Sequence, residues 1–229
     1  MLKVERLEEM TLQTDPFEWA FIDQLFTPSD AAVLAASFPR DKFKTVAGHD
    51  KEKSYRYVSR SLIHMGADIP SYPDGLSPAW LEFANDLISP RYRAAISRLA
   101  RRDLSKTLME VNVIHYPSGA WLGPHLDLRE KLATHVFYFN AAWKKEDGGC
   151  LNILRSSDPA DTVAHILPIV GNSGLIVRSD RSWHTVTRVV DSCHLSRRSM
   201  NVIFHLPGSL SSMWPPGDTS PLHDFVEGD

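Results

Sequence analysis

Two potential metal ligands stand one residue apart near the middle of the chain. His125 and Asp127 lie in the stretch VNVIHYPSGAWLGPHLDL, residues 111–128. Side chains alternate between the two faces of a β-strand, so an imidazole and a carboxylate at this spacing can reach one ion. The same spacing also arises by chance, and for an isolated pair the alternative is a surface pair that binds no metal. The two residues are therefore half of a candidate metal site.

A third ligand must come from a distant part of the chain. His184 precedes Val186 in the alternating segment RSDRSWHTVTRV. Two histidines and one carboxylate on one face of an ion leave other coordination positions open, which is typical of non-haem Fe(II) oxygenases. The sequence thus predicts His125, Asp127 and His184 as metal ligands. The other histidines lack a partner at suitable spacing and are expected at the surface or around the ligands: His115, His135, His165, His194 and His205.

A candidate anion-binding residue lies on the last strong strand of the sequence, RRSMNVIFH at residues 197–205. Strict alternation gives this strand two faces, one with Arg197, Ser199, Asn201 and Ile203 and the other with Arg198, Met200, Val202 and Phe204. The second face is apolar and predicts the core. The first then points into a barrel, where Arg197 is suited to bidentate binding of a small carboxylate. A salt bridge to a protein carboxylate would satisfy a buried guanidinium equally well.

Helices are predicted in the N-terminal part of the chain. Thr27-Pro28 marks a helix start and Pro39 its end, while Ser77-Pro78 starts a second helix that Ser89-Pro90 breaks and restarts. The polar segment between them, residues 40–75, predicts loops with one short strand around 55–63. In the sequence, these helices and loops precede all candidate residues of the metal site and of the anion site.

From residue 107 onwards the apolar residues recur with the period of strands. We predict strands at 108–116, 134–140, 150–154, 163–169, 174–178, 183–190 and 197–206. Such a series behind helices predicts a mainly β fold, a sandwich or jelly roll braced by α-helices. We expect a single domain over residues 1–229: residues 1–106 give helical support and the substrate side, 107–208 the β core, and 209–229 an irregular tail.

The composition is that of an ordinary globular protein. A formal net charge of −3 gives no general electrostatic reason to bind nucleic acid or an anionic membrane. The N-terminus MLKVERLEEM has no apolar signal region, and no run approaches the ~18 apolar residues of a membrane span. Cys150 and Cys193 lack CxxC spacing and are expected to be reduced thiols. We therefore expect a cytoplasmic monomer or homodimer whose partner is a small-molecule substrate.

The ordered set of motifs resembles the Fe(II)- and 2-oxoglutarate-dependent dioxygenases, especially their prolyl-hydroxylase-like branch. The set consists of the HxD pair, the distal His184 with Val186, and a basic residue on the next strand. Finer matches are YPSG at 116–119, the aromatic strand and Trp143 at 136–143, Gly148-Gly149, and Trp183-His184. The resemblance covers roughly residues 108–208.

The resemblance implies a double-stranded β-helix, a cupin-like jelly roll, with Fe(II) held by the three predicted ligands. It also implies 2-oxoglutarate and O2 as co-substrates, succinate and CO2 as co-products, and ascorbate as an optional stimulant. The Arg-X-Ser pattern selects Arg197 for the far carboxylate of 2-oxoglutarate, with Arg198 as second choice. Tyr116 and Tyr138 are implied in the co-substrate pocket, and Asn201, on the face of Arg197, is kept as a further candidate.

The motifs do not identify the substrate. We expect hydroxylation, or another oxidation of a C–H bond, in a small metabolite or biosynthetic intermediate. Three alternatives remain: a cupin-like metalloenzyme that does not use 2-oxoglutarate, a non-catalytic jelly-roll binding module, and a hydroxylase of peptidyl residues. The candidate substrate contacts, each of which would otherwise be an exposed solvated side chain, are Arg56, Tyr57, Arg60, Trp121 and Arg129.

Overall fold

The computed structural model describes residues 1–49 and 54–227. Within these ranges the chain is mainly β, with its α-helices in the N-terminal part. The helices are α1 (Val4–Glu9), α2 (Pro28–Ala36), α3 (Pro78–Ile88) and α4 (Pro90–Ala100). The strands are β1 (Trp19–Ile22), β2 (Lys44–His49), β3 (Ser54–Ile63), β4 (Leu108–Tyr116), β5 (Trp121–His125), β6 (Lys131–Tyr138), β7 (Leu151–Leu154), β8 (Thr162–Ile166), β9 (Ser173–Val177), β10 (His184–Val186) and β11 (Arg197–His205).

The strands form one antiparallel sheet that curls into a jelly roll. Their spatial order is β1-β9-β6-β11-β4-β3-β5-β10-β7-β8, and β2 pairs with β3 as a hairpin. Among the described residues, two pairs join β3 to β5, Tyr55 with Leu122 and Arg56 with Trp121. The sheet folds over at this short junction, so that apolar side chains of β6 and β7 pack against each other inside it. The mainly β fold predicted from the sequence is confirmed.

The helices cover the outer face of the larger half of the sheet. Ser77 and Ser89 cap α3 and α4, because each hydroxyl accepts a hydrogen bond from the backbone N–H three residues on, with proline at the first helical position. Trp80 and Phe83 of α3 then pack against Phe137 of β6 and its neighbours. The predicted helix starts at residues 28, 78 and 90 are all confirmed.

Several elements were absent from the sequence-based prediction: α1, β1, β2 and β5. Strand β5 was missed because its sequence, WLGPH, contains Gly123 and Pro124, which ordinarily interrupt strands. The prediction that His125 and Asp127 share a strand is wrong. His125 is the last residue of β5, and Asp127 follows in an irregular segment that leads to β6.

Three of the remaining histidines are buried in the protein interior, so the expectation of a surface or ligand-side location for them is wrong. His135 of β6 bonds the Tyr92 hydroxyl (2.9 Å) and the Ser173 hydroxyl (2.9 Å), and His115 and His205 are equally enclosed. Burial lowers the pKa of the His135 imidazole to about 3. His165 and His194 are exposed, as expected.

Two further observations bear on the sequence-based expectations. Cys150 and Cys193 are both free thiols. Among the described residues, every helix is too short or too polar to cross a bilayer. Over residues 209–227 the described part of the C-terminal tail has no helix or extended strand, and its Phe225 packs into the main core.

The neutral buried His135 makes stability sensitive to acid. Its pKa is about 3 in the folded protein against an ordinary value of 6.5, so the unfolded chain binds more protons between these values and stability falls as pH drops below 6.5. At pH 5 the contribution of this one group is a loss of about 2 kcal/mol relative to neutral pH. Urea denaturation at pH 7 and pH 5 should show that His135→Gln loses about 2 kcal/mol less than the wild type.

The control for this comparison is His194→Gln, which changes an exposed histidine. It should lose as much stability between pH 7 and pH 5 as the wild type. Equal losses in the wild type and in His135→Gln would contradict the assignment of His135 as a neutral buried group.

Candidate active site

The three predicted metal ligands come together at one end of the barrel. His184, the first residue of β10, lies directly opposite His125, the last residue of β5, in the antiparallel register. Asp127 joins them from the segment after β5. One ligand atom from each residue lies within 4.8 Å of the other two, and all three side chains are buried. The arrangement can bind a divalent metal ion with two imidazoles and one carboxylate.

Both histidines are oriented by backbone carbonyls two residues before them. The Nδ1 of His125 lies 2.9 Å from the carbonyl oxygen of Gly123, and the Nδ1 of His184 lies 2.9 Å from that of Ser182. A carbonyl only accepts, so each Nδ1 carries the proton and donates it, and the lone pair is on Nε2. This is how metal-binding histidines are usually held, with the second ring nitrogen fixing the tautomer and the ring plane.

The third ligand, Asp127, is held through both of its oxygens. The Lys131 ammonium lies 2.7 Å from Oδ1, and the Thr134 hydroxyl donates to Oδ2 at 2.8 Å. Burial by itself would raise the pKa of the Asp127 carboxyl. The positive charge of Lys131, together with the two histidines, lowers that pKa by more than burial raises it, so the pKa lies well below its ordinary value and the carboxylate is charged. A charged, oriented carboxylate is what a hard divalent cation requires.

A cavity of about 250 Å³ contains the three ligands and runs along the inner face of β11. Arg197 pairs with Tyr116 at its deep end, Asn201 pairs with Asn112 midway, and Ile203 pairs with Glu110 towards the mouth. The predicted inner face of β11 is therefore confirmed for Arg197, Asn201 and Ile203, all of which line the cavity.

Arg197 is almost fully enclosed, at 1% exposure. Its Nε donates to the carbonyl oxygen of Gly149 at 2.6 Å, and its Nη1 donates to the Ser199 hydroxyl at 2.7 Å. The guanidinium lies 4.7 Å from the ring centre of Tyr116 and 5.2 Å from that of Tyr138. Within residues 1–49 and 54–227, no carboxylate lies within 4.0 Å of it. Among the described residues, the buried positive charge of Arg197 therefore has no counter-charge.

The Gly148-Gly149 turn builds the wall behind this arginine. Gly148 has φ +71°, and a Cβ there would lie 1.9 Å from the carbonyl oxygen of Arg188, so only glycine allows this close approach. A Cβ on Gly149 would lie 3.1 Å from the Arg197 side chain. The turn therefore brings a carbonyl acceptor directly against the guanidinium and fixes its direction.

Tyr116 and Tyr138, which the resemblance implies in the co-substrate pocket, both lie at the deep end of the cavity. Tyr116 is buried and lines the cavity, and burial raises the pKa of its hydroxyl to about 12. The Tyr138 hydroxyl is buried and makes no hydrogen bond to any described residue, and burial raises its pKa as well. Both hydroxyls keep their protons at neutral pH. A buried donor without an acceptor next to an uncompensated guanidinium is the environment that an anionic oxygen would satisfy.

Arg198 lies on the opposite face of β11. Its guanidinium donates to the Ala35 carbonyl oxygen at 3.2 Å and pairs with Glu227 at 2.5 Å, outside the cavity. Among the candidate substrate contacts only Tyr57 lines the cavity. Arg60 is buried and donates hydrogen bonds to Asp41 and to two backbone carbonyls. Trp121 is partly exposed, and the Arg188 guanidinium lies over its ring. Arg56 and Arg129 are exposed.

Sequence reasoning missed several residues that build the site. Thr134 and Lys131 hold Asp127, and a signal for Thr134 was present, because it shares the parity of Val136 and Tyr138 on a predicted strand. Lys131 precedes that predicted strand, so no alternation applied to it. The C-terminal tail also lines the cavity, with Ser211, Ser212 and Met213. Nothing in its local sequence indicates a cavity wall.

With this geometry established, a comparison with protein families is informative. Residues 111–205, which include all three candidate ligands and Arg197, match the family model of the 2OG-Fe(II) oxygenase superfamily. The matched segment is thus similar to that superfamily, and it makes up less than half of the chain. The superfamily uses Fe(II) and 2-oxoglutarate, and its members are oxidoreductases. A search of curated proteins gave no match to the chain.

Solved structures show the same fold at low identity. A prolyl-4-hydroxylase from Pseudomonas putida has a TM-score of 0.58 and 17% identity, covering 90% of this chain and 99% of that one. A prolyl hydroxylase from Trichoplax adhaerens, in complex with a peptide of the hypoxia inducible factor oxygen degradation domain, has a TM-score of 0.58 and 19% identity over 89% and 90% of the two chains.

A structure from natural-product biosynthesis is also similar. The non-haem alpha ketoglutarate dependent epimerase SnoN of nogalamycin biosynthesis has a TM-score of 0.53 and 12% identity, covering 96% of this chain and 93% of that one. All three share their overall fold with this chain. At these sequence identities the similarity is one of fold. It does not indicate which substrate this chain binds.

Removing the Thr134 hydroxyl should weaken metal binding. Thr134→Val keeps the shape of the side chain but leaves Oδ2 of Asp127 without its donor, so the carboxylate is less well oriented. We expect the affinity for Co(II) to fall about tenfold, which is the lower end of the effect of losing an outer hydrogen bond to a ligand. Isothermal titration calorimetry of the metal-free chain measures this affinity.

Thr45→Val, on the exposed side of β2, is the matched control and should bind Co(II) as the wild type does. If the two variants have equal affinity, Thr134 does not orient a metal ligand.

Proposed function

We propose that the chain is an Fe(II)- and 2-oxoglutarate-dependent oxygenase that oxidises a C–H bond of a small metabolite or biosynthetic intermediate. In this proposal His125, Asp127 and His184 bind Fe(II), and Arg197 binds the far carboxylate of 2-oxoglutarate. The observation that carries the proposal is the enclosed Arg197 guanidinium, which has no carboxylate partner among the described residues and lies in the same cavity as the candidate ligands.

A buried guanidinium without a counter-charge is unfavourable, so the position favours an anionic ligand. Gly149 and Ser199 accept from two of its nitrogens and leave donors on the side of the Tyr138 hydroxyl. A carboxylate there would accept from both Arg197 and Tyr138, as charge-assisted hydrogen bonds in a site sheltered from water. A cupin-like enzyme that does not use 2-oxoglutarate would have no use for such an anion site.

Fe(II), 2-oxoglutarate and O2 together supply an oxidative decarboxylation that provides the oxidant for a C–H bond and yields succinate and CO2. The residues of this chain do the positioning. The backbone carbonyls of Gly123 and Ser182 hold the two imidazoles in one tautomer, and Thr134 with Lys131 holds the Asp127 carboxylate. Arg197 fixes the co-substrate at one end. Tyr116 and Val186 exclude water from the space between.

The size of the cavity supports a small substrate. Its volume of about 250 Å³ is below the roughly 300–1,000 Å³ of most ligand pockets, and it must hold the co-substrate as well. A hydroxylase of peptidyl residues is the second candidate, and the structural likeness to prolyl hydroxylases is its only support. A panel of small metabolites and proline-containing peptides, scored by succinate release, separates the two.

Replacing any one of the three proposed ligands should abolish turnover and leave the protein folded. His125→Ala, Asp127→Ala and His184→Ala each remove one donor from a three-donor set at the mouth of the barrel, outside the apolar core. Succinate release in the presence of Fe(II) should fall to background, with an unchanged circular dichroism spectrum. Full turnover by His184→Ala would show that the third ligand is a different residue.

Arg197→Ala should raise the KM for 2-oxoglutarate about ten- to hundredfold and leave Co(II) affinity nearly unchanged. Loss of a sheltered charge-assisted pair costs roughly 1.5–3 kcal/mol, which corresponds to that range. Arg197→Lys should restore only part of the affinity, because an ammonium lacks the planar fork.

The neighbouring residue provides the control. Arg198→Gln changes a side chain that pairs with Glu227 outside the cavity, so the KM for 2-oxoglutarate should stay at the wild-type value. If the effects of the two substitutions are reversed, Arg198 is the anchor. If neither changes KM, the assignment of the co-substrate site is wrong.

A further inference from the structure

A segment of the C-terminal tail crosses the mouth of the barrel. We call residues 209–218 the strap. Ser211, Ser212 and Met213 of the strap line the cavity at the end remote from Arg197. The two ends are far apart, since Ile203 follows Arg197 by six residues on β11, about 20 Å at the rise of a strand. The strap therefore closes the side of the cavity that is left for a substrate.

A buried carboxylate holds the strap from inside. Glu110 of β4 is fully enclosed, and its Oε1 accepts from the Ser212 hydroxyl (2.8 Å) and from the backbone N–H of Met213 (3.0 Å). Its Oε2 accepts from His205 Nε2 at 3.0 Å. A buried carboxylate that lost two of its three donors would be left under-compensated. Releasing the strap is thus costly, and the strap is part of the folded barrel.

A lysine holds the strap from the other side. Lys44 of β2 donates to the Met213 carbonyl oxygen at 2.6 Å, pairs with Asp218, and lies 4.2 Å from the ring centre of Trp214. The Trp214 indole N–H donates to Asn112 Oδ1 at 2.8 Å. The strap is therefore attached to β2 and β4 at once, across the mouth of the cavity.

Met213 of the strap is half-buried, and its side chain lines the cavity. It packs against the apolar cluster of Tyr57, Tyr116 and Val186, and each of these residues also lines the cavity. Val186 is two residues from the proposed ligand His184, on the same face of β10. A flexible thioether at this place fills the space beside the candidate metal site.

We propose that the strap is the substrate-side wall of the active site and that Met213 determines the size of the substrate group that can lie beside the metal ligands. Glu110 and Lys44 are positioning residues that hold the wall in place. The inference rests on the proposed function and deepens it. The substrate is a small molecule that fits inside the wall, and an extended polypeptide is excluded while the strap is attached.

The first test compares two strap residues. Met213→Ala removes a side chain that lines the cavity, whereas Leu210→Ala removes one that is 91% exposed. Both variants and the wild type are assayed for succinate release with Fe(II), 2-oxoglutarate and free amino acids that increase in side-chain size, together with their N-acetyl and capped tripeptide forms. For Met213→Ala, the ratio of kcat/KM for larger to smaller members should rise about tenfold, as expected when methylene groups are removed from a binding pocket.

Leu210→Ala should keep the wild-type ratio, and the KM for 2-oxoglutarate should be unchanged in both variants. A purely structural role for Met213 would lower activity equally for all members of the panel. The proposal is overturned if Met213→Ala and Leu210→Ala show the same size preference, or if the wild type turns over the tripeptides as well as the free amino acids.

The second test does not require turnover. Lys44→Met releases the strap on the β2 side, and Lys106→Met changes an exposed lysine as the control. Each chain is loaded with Co(II), and the rate at which EDTA removes the ion is followed by the Co(II) absorption. Lys44→Met should lose Co(II) about tenfold faster than the control, because a charge-assisted attachment of the wall is gone.

The two tests separate the possible failures. If the wild type with Fe(II) does not consume 2-oxoglutarate, either with a panel member or without one, the proposed function fails, while the EDTA rates still test the wall. Equal rates for Lys44→Met and Lys106→Met would mean that the strap is no barrier, and would overturn the inference. Circular dichroism identifies a misfolded Lys44→Met, and in that case Met213→Ala, which leaves both attachments intact, decides the outcome.

Discussion

The enclosed guanidinium of Arg197 is the constraint on which the arrangement of the barrel depends. A positive charge at the deep end of a cavity must be compensated, and the described residues supply two neutral acceptors and two aromatic rings but no carboxylate. The Gly148-Gly149 turn approaches closely enough to give one acceptor only because it has no Cβ. Arg197 lines the same cavity as His125 and His184, so an anion bound to its guanidinium would share that cavity with the histidines.

Patterns within a few residues of sequence predicted those parts of the fold that depend on interactions between nearby residues. The serine caps of α3 and α4 act over three residues, and the strict alternation of β11 assigns Arg197 to the cavity and Arg198 to the outside. His184 and His125 were correctly predicted to lie together, because few residue types can bind a metal ion. The β5 strand that positions His125 was not predicted. The Gly-Pro sequence of β5 concealed it, and Asp127 reaches the site from a loop.

The rest depends on contacts between distant parts of the chain. Glu110 and Ser212 are 102 positions apart, and Lys44 and Asp218 are 174 apart. Such pairs leave no periodic signal, since each member looks locally like an ordinary polar surface residue. The tail was therefore predicted as irregular, without any indication that Ser211, Ser212 and Met213 line the cavity. Likewise, Lys131 showed no pattern that would connect it with Asp127, four residues earlier.

The formal charges around the cavity give a reason why the proposed ligands belong together. Among the described residues that line it, the ionisable groups of fixed sign are Arg197, Lys131, Asp127 and Glu110, two of each sign. The charges of these four protein groups thus cancel overall, but they are separated in space, with Arg197 alone at one end of the cavity. A divalent ion beside Asp127 would add two positive charges, and a dicarboxylate spanning from the ion to Arg197 would cancel both. Each ligand therefore makes the other more favourable, because either one alone leaves net charge in a space with little water.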